Sequence, residues 1–173
     1  AHCSLLEAID LARRSDASLY AAEREKYSRR LEILIDNLDY YRGAYTRSSY
    51  ASDAREWQPY AVPRAREKGG ADVTGILNVY DDQMWLCREL IRAWRLSGKH
   101  DYLNRAVYLA DYVLDGWDCW RDAAGNEYGG ITWGPGYNSK HACSNAPMIQ
   151  PLVWLAEIYA DNNETTVYNY RDA

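Results

Sequence analysis

Apolar residues recur every three or four positions in several stretches of this chain, which is the spacing of one buried face on an α-helix. The pattern predicts helices over residues 18–42, 79–96 and 147–160, and another that has Asp101 as its N-cap. Gly43 and Gly116 are expected to end two of them, while Asn145 lies near the start of the last. No stretch shows strand-like alternation of useful length, so the sequence predicts an all-α fold.

Two polar segments rich in glycine or proline, residues 48–75 and 118–144, separate these helices. Connections in helix bundles usually run about 2 to 8 residues, and long ordered loops often carry function. Helix hairpins with long loops on one side fit an (α/α)6 toroid, which needs roughly 230 residues or more for its twelve helices. The chain has 173 residues. We therefore expect residues 1–173 to form a single domain that is the N-terminal part of such a toroid, incomplete at its C-terminus.

Composition removes several classes of function. The formal net charge is −5 and the basic residues are scattered, which argues against nucleic-acid binding. No apolar run is long enough to span a membrane, and we expect a soluble protein whose export signal is already gone. The four cysteines lack zinc-ligand spacing, so neither a metal nor a cofactor is expected. Seven Trp and 16 Tyr suit sugar stacking, although a tyrosine such as Tyr112 can equally be a packing residue.

Two adjacent carboxylates, Asp81 and Asp82, open the predicted third helix. Glycoside hydrolysis needs two carboxyl groups beside the scissile bond, about 5 to 5.5 Å apart in retaining enzymes. Successive helical residues diverge by about 100°, so both must project into one cavity. Trp85 falls between them one turn later and could form an apolar wall that raises one pKa. Acidic residues also favour a helix's first turn for structural reasons, and Glu89 further along that face suggests a solvated surface.

Several motifs in order give this chain a resemblance to glycoside hydrolase family 76. They are Tyr-Asp-Asp-Gln-Met-Trp at 80–85, Ser-Gly-Lys-His-Asp-Tyr-Leu at 97–103, Asp-Gly-Trp-Asp at 115–118, Gly-Gly-Ile-Thr-Trp at 129–133 and Lys-His-Ala-Cys-Ser-Asn-Ala-Pro at 140–147. The resemblance covers about residues 76–160 and implies an (α/α)6 toroid with retaining endo-cleavage of α-1,6-linked mannan. By that resemblance Asp81 is the nucleophile and Asp82 the general acid/base.

Side chains around the pair are candidates for substrate binding. Tyr80 and Trp85 flank it, and Trp133 follows two glycines in a loop that allows close approach of a sugar ring. Each has a structural alternative, since a loop tryptophan often packs inward. Lys140, His141 and Asn145 offer hydrogen bonds to sugar hydroxyls, although Asn145 could instead cap a helix. Trp117 and Trp120, by contrast, are expected to be packing residues.

The main hypothesis is a secreted, periplasmic or cell-surface endo-α-1,6-mannanase acting on α-mannan or mannose oligosaccharides. A transglycosylase of mannosylated cell-wall glycans would use the same Asp pair and would differ only in its acceptor. A non-catalytic glycan-binding helical protein is a second class, which the intact Asp81 and Asp82 disfavour. A helical-repeat module is disfavoured because the sequence has no fixed period.

Overall fold

A computed structural model describes residues 2–15 and 17–162. Over these residues the chain is mostly helical, as the sequence predicts, with two short antiparallel hairpins set between helices. In chain order the elements are α1 His2–Ser15, α2 Ala17–Leu38, β1 Tyr45–Arg47, β2 Arg55–Trp57, α3 Tyr80–Ser97, α4 His100–Leu114, β3 Trp117–Arg121, β4 Glu127–Ile131, a 3-10 turn Ala142–Ser144 and α5 Ala146–Asn162.

Helix α3 is the centre of the core and packs against α1, α4 and α5. It ends where predicted, because Gly98 adopts a left-handed conformation with φ of 72° and its N–H donates to the Trp94 carbonyl. The buried core side chains on α3 are Tyr80, Met84, Cys87, Leu90, Ile91 and Ala93. None of the described helices is long and apolar enough to cross a membrane.

Helix α4 has the predicted apolar face and ends at Leu114, shortly before Gly116 as predicted, but its N-cap differs from the prediction. Leu103, Ala106 and Val113 are all buried in the core. The N-cap is Lys99 rather than Asp101, which lies inside the first turn and pairs with Arg105. The helix starts earlier than expected because the turn after α3 is tight and already reverses the chain at Gly98.

Helix α2 is shorter than predicted. It ends at Leu38, and a turn follows in which the Tyr41 carbonyl accepts a hydrogen bond from Ala61. Gly43 is therefore not a helix cap. A Cβ on Gly43 would lie 1.9 Å from the Ala71 carbonyl oxygen, so glycine is needed for two backbone segments to pass close together.

Two short hairpins, which the sequence pattern does not indicate, accompany the helices. β1 pairs with β2 and β3 pairs with β4, both antiparallel. The β3–β4 hairpin is closed by Asp122, whose carboxylate accepts hydrogen bonds from the N–H groups of Ala124 and Asn126. Gly125 completes the turn with φ of 84°. This side-chain-stabilised turn fixes the pairing without a long apolar alternation.

The predicted solvated surface on α3 is also wrong at Glu89. Its side chain is buried, with the residue only 4% exposed. Arg88 and Arg92 flank it at nitrogen-to-oxygen distances of 2.8 and 3.0 Å. A buried carboxylate is stable only with such partners, so this part of α3 faces the protein.

Candidate active site

Asp81 and Asp82 lie in the first turn of α3, as predicted. Asp81 is partly buried and Asp82 is exposed. The N-cap is Val79, in extended conformation, and no side chain caps the helix. Neither aspartate therefore caps the helix, but both lie in its first turn, where the helix dipole favours acidic residues.

The carboxylate of Asp81 has an unsatisfied oxygen. Its Oδ1 is buried and has no hydrogen-bond partner among the described residues. Buried polar atoms are almost always paired, so an orphan of this kind usually marks a functional group or the place of an absent partner.

Asp82, but not Asp81, lines a cleft of about 310 Å³ between α3 and the end of α2. Desolvation by the surrounding residues raises the pKa of Asp82, and the charge of the neighbouring Asp81 raises it further. A carboxyl group with a raised pKa retains its proton to higher pH, which is what a general acid requires. The wall of the cleft is largely apolar and comprises Leu38, Tyr41, Tyr60, Ala61, Val62 and Leu86.

Trp85 does not line that cleft. Its side chain is 46% exposed, and the Arg88 guanidinium carbon lies 4.8 Å from the centre of its ring. The apolar wall expected from Trp85 is supplied instead by residues of α2 and of the segment after it. A place for Trp85 in substrate binding stays a prediction.

Tyr80 lies beneath the site rather than in it. Its side chain is fully buried, and its ring is 5.2 Å from that of Tyr112. Gly116 rests directly on this ring, because a Cβ on Gly116 would lie 2.5 Å from the Tyr80 Cε2 atom. Burial also raises the pKa of the Tyr80 hydroxyl. Tyr80 therefore supports the first turn of α3, and nothing in its position favours the predicted contact with substrate.

Trp133 is held at the start of α3 by its backbone. Its carbonyl accepts a hydrogen bond of 2.9 Å from the Tyr80 N–H, and its own N–H donates to Ser139 over 2.8 Å. Its half-buried ring lies 4.8 Å from the ring of Tyr137 and 5.4 Å from that of His141. The Trp133 backbone thus adjoins the residue before Asp81, whereas its ring contacts Tyr137 and His141. A role for Trp133 and His141 in substrate binding stays a prediction.

Lys140 and Asn145 lie together against Gly130 of β4. The Lys140 ammonium is 3.2 Å from an oxygen of Asp118. Asn145 accepts from the Ile131 N–H over 2.8 Å and donates to the Ile131 carbonyl over 3.0 Å. The Asn145 amide thus joins β4 to the start of α5 and has its hydrogen-bonding atoms occupied by protein. Its role in substrate binding stays a prediction that this geometry does not favour.

Among the described residues, no group of three or more His, Cys, Asp or Glu side chains could hold a metal ion.

The sequence profile of glycosyl hydrolase family 76 matches residues 32–169, which is most of the chain. The chain belongs to this family. Among curated protein sequences, none matches the chain. The family match includes the Asp pair, the β3–β4 hairpin and the start of α5.

Two solved family 76 structures share the fold. A family 76 glycoside hydrolase from a bovine Bacteroides thetaiotaomicron strain is 24% identical, with a TM-score of 0.61, over 97% of this chain and 30% of that one. The family 76 mannosidase Bt3792 from Bacteroides thetaiotaomicron VPI-5482 is 20% identical, with a TM-score of 0.57, over 93% of this chain and 36% of its own. This family 76 chain thus spans about a third of either structure and has part of their helical fold.

Sequence reasoning missed Asp115, a fully buried carboxylate at the end of α4. Its oxygens accept hydrogen bonds from Arg47 over 3.0 Å, Ser49 over 2.9 Å and Ser52 over 2.6 Å. These contacts fix the β1–β2 loop against the residue that precedes Gly116. The Asp-Gly-Trp-Asp motif includes Asp115, but the hydrogen-bond partners of this carboxylate come from the distant β1–β2 loop and are known only from the fold.

The prediction that Trp117 and Trp120 are packing residues is wrong. Their side chains are 41% and 59% exposed. Both belong to β3, and the short hairpin projects them away from the core. The turn-forming residues Asp122 to Asn126 could have indicated this exposure, because they predict a surface hairpin that would carry both tryptophans.

Proposed function

We propose that this chain carries the catalytic carboxylates of a retaining endo-α-1,6-mannanase. The observation that supports it most is the pairing of Asp81, whose buried Oδ1 lacks a partner, with Asp82, whose pKa is raised in an apolar cleft. Two neighbouring carboxyl groups whose environments differ are the arrangement that glycoside hydrolysis uses. Family membership and the mannosidase among its structural neighbours support mannan as the substrate class.

In the first step, an Asp81 oxygen attacks the anomeric carbon of a mannose unit. The bond to the leaving oxygen breaks, and the Asp82 proton passes to that oxygen. In the second step, the Asp82 carboxylate takes a proton from water, and the water oxygen attacks the anomeric carbon. The bond to Asp81 then breaks. Two inversions at the same carbon retain the α configuration.

Polymeric mannan does not cross a membrane unaided, so we also propose that the protein acts outside the cytoplasm. Cell fractionation with an antibody to the chain tests this. Its presence in the cytoplasm alone would contradict it.

Incubation of the full-length protein with linear α-1,6-mannan tests the function. We expect a ladder of oligosaccharides, because an endo-acting enzyme cuts inside the polymer, and the first anomer seen by proton NMR should be α. Asp81→Asn serves as the matched inactive control. Transfer of mannose units to added oligosaccharide instead of water would identify a transglycosylase. The absence of any cleaved product, with binding retained, would support a non-catalytic glycan-binding protein.

A further inference from the structure

A second cleft, of about 670 Å³, lies beside the β3–β4 hairpin and apart from the cleft of Asp82. It is bounded by the β1–β2 loop on one side and by residues 132–138 on another. The side chains that matter for its chemistry are Tyr50, Trp117, Asp118, Trp120, Tyr137 and Asn138. The lining therefore includes both aromatic and polar residues.

The aromatic side chains are exposed yet held in place. Trp120 is 59% exposed, and its ring centre lies 5.3 Å from that of Tyr128 on the opposite strand, at an angle of 38°. Trp117 lies across Gly129, where a Cβ would come within 2.9 Å of the indole Cζ2 atom. An exposed indole that a neighbouring ring already orients loses little entropy when a flat ligand stacks on it.

The polar groups beside these rings favour a sugar over an apolar partner. Asp118 accepts a 2.7 Å hydrogen bond from the backbone N–H of Trp120 and forms an ion pair with Lys140. Its carboxylate is therefore a hydrogen-bond acceptor held in one position. Asn138 is exposed and offers an amide. Charged residues are depleted in the centre of protein interfaces, whereas sugars need both an apolar face and hydrogen bonds along their edges.

The hairpin is connected directly to the first turn of α3. Thr132 donates a 3.2 Å hydrogen bond to the Gly116 carbonyl, and the next residue, Trp133, accepts from the Tyr80 N–H. Both strands of the hairpin therefore meet the body of the protein beside the residue that precedes Asp81. The hairpin and the first turn of α3 are thus joined through the consecutive residues Thr132 and Trp133.

We propose that this cleft is an additional sugar-binding subsite, with Trp120 as its stacking surface, that holds a distant part of a mannan chain bound at Asp81 and Asp82. It rests on the proposed function for the nature of the sugar. It goes beyond that function by assigning a binding role to the hairpin, which would make the protein favour long substrates.

Calorimetric binding of α-1,6-mannobiose and α-1,6-mannohexaose to the full-length protein tests this subsite. All variants carry Asp81→Asn, so that neither ligand is cleaved. Trp120→Ala should weaken hexaose binding by roughly fivefold to tenfold, the size expected for one lost stacking contact, and leave biose binding unchanged. Trp120→Tyr should bind the hexaose nearly normally, whereas Trp120→Leu should behave like Trp120→Ala. Ile33→Ala, which removes another exposed apolar side chain at 52% exposure, should change neither affinity.

The other outcomes separate the two proposals. If the Asp81→Asn parent binds neither oligosaccharide, the proposed function and the subsite both fail. If the parent binds the hexaose and Trp120→Ala binds it equally well, only the subsite is overturned. Retained hexaose binding in Trp120→Leu would overturn the assignment of Trp120 as a stacking surface, because an aliphatic side chain would then suffice. Equal loss for both ligands with a lower melting temperature would show that Trp120 is a structural residue.

Discussion

A single aspartate at the end of α4 and a pair of aspartates at the start of α3 differ in their hydrogen-bond partners. Asp115 ends α4 with no exposed surface and has Arg47, Ser49 and Ser52 around its oxygens. Asp81 and Asp82 begin α3, and among the described residues no side chain or backbone group is hydrogen-bonded to either carboxylate.

The two places therefore differ in how their carboxylates are held. The hydrogen bonds of Asp115 fix it to the β1–β2 loop. Under the proposed function, the Asp pair instead keeps its carboxylates available to a ligand. Substitutions at the two places should therefore affect different properties, either stability or activity.

The largest expected effect is on activity. Asp81→Asn and Asp82→Asn should each reduce mannan hydrolysis by about a thousandfold or more, because each removes a group that acts in the reaction. Circular dichroism and the melting temperature should be unchanged, since neither carboxylate has a partner to lose. Asp53→Asn, at another exposed aspartate, is the control and should be fully active. Substantial hydrolysis by either variant of the pair would refute the assignment.

The next effect is on stability. Asp115→Ala should lower the free energy of unfolding by about 3–5 kcal/mol, because it leaves the partly buried Arg47 without its partner. Urea denaturation of the full-length protein measures the loss. Ser49→Ala removes one hydrogen bond only and should cost about 1 kcal/mol. An Asp115→Ala protein as stable as the wild type would remove the contrast between the two sets of aspartates.

Gly116 connects the two regions, so its substitution should affect both properties. Gly116→Ala places a methyl group against the Tyr80 ring and should cost about 1–3 kcal/mol of stability. It should also lower kcat, because Tyr80 supports the turn that carries Asp81. Gly136→Ala is the control, since nothing lies within 4 Å of a Cβ placed there. Loss of stability without loss of kcat would show that Tyr80 does not position Asp81.

The smallest effect concerns pH. Asp82 must be protonated in the first step, so kcat/KM should fall as pH rises through its pKa, which burial and Asp81 raise. Val62→Thr makes the cleft more polar, which should lower this pKa and move the alkaline limb of the pH profile to lower pH. Val153→Thr, equally exposed on α5, should leave the limb in place. A shift to higher pH would contradict the proposed cause.

Much of the helical fold was predictable, because periodic apolar residues determine which face of α3 and α4 is buried. The position of the Asp pair was also predictable, because Asp81 and Asp82 open a helix and lie within a recognisable sequence motif. The helix ends were less predictable. Asp101 resembles an N-cap in sequence, but the turn at Gly98 starts α4 earlier. The end of α2 depends on backbone contacts with residues about 20 positions away, such as Ala61 with Tyr41.

The environment of each side chain could not be predicted. Tyr80 and Trp85 both lie within one helical turn of the Asp pair, yet Tyr80 is fully buried and Trp85 is exposed. Trp120 was expected inside and lies outside, because a side-chain-stabilised turn at Asp122 makes a hairpin that alternation does not reveal. Such differences arise from contacts between distant segments, which a local pattern does not contain.

Azide rescue of the two alanine variants is the most direct test of the claim that Asp81 and Asp82 have different catalytic roles. With an activated aryl α-mannoside, Asp82→Ala should still form the mannosyl-enzyme at Asp81, and azide should then give the α-mannosyl azide by two inversions. Asp81→Ala lacks the nucleophile, so azide should displace the leaving group directly and give the β-mannosyl azide. The opposite pairing would exchange the two roles, and rescue of neither variant would contradict the assignment of this pair as nucleophile and acid/base.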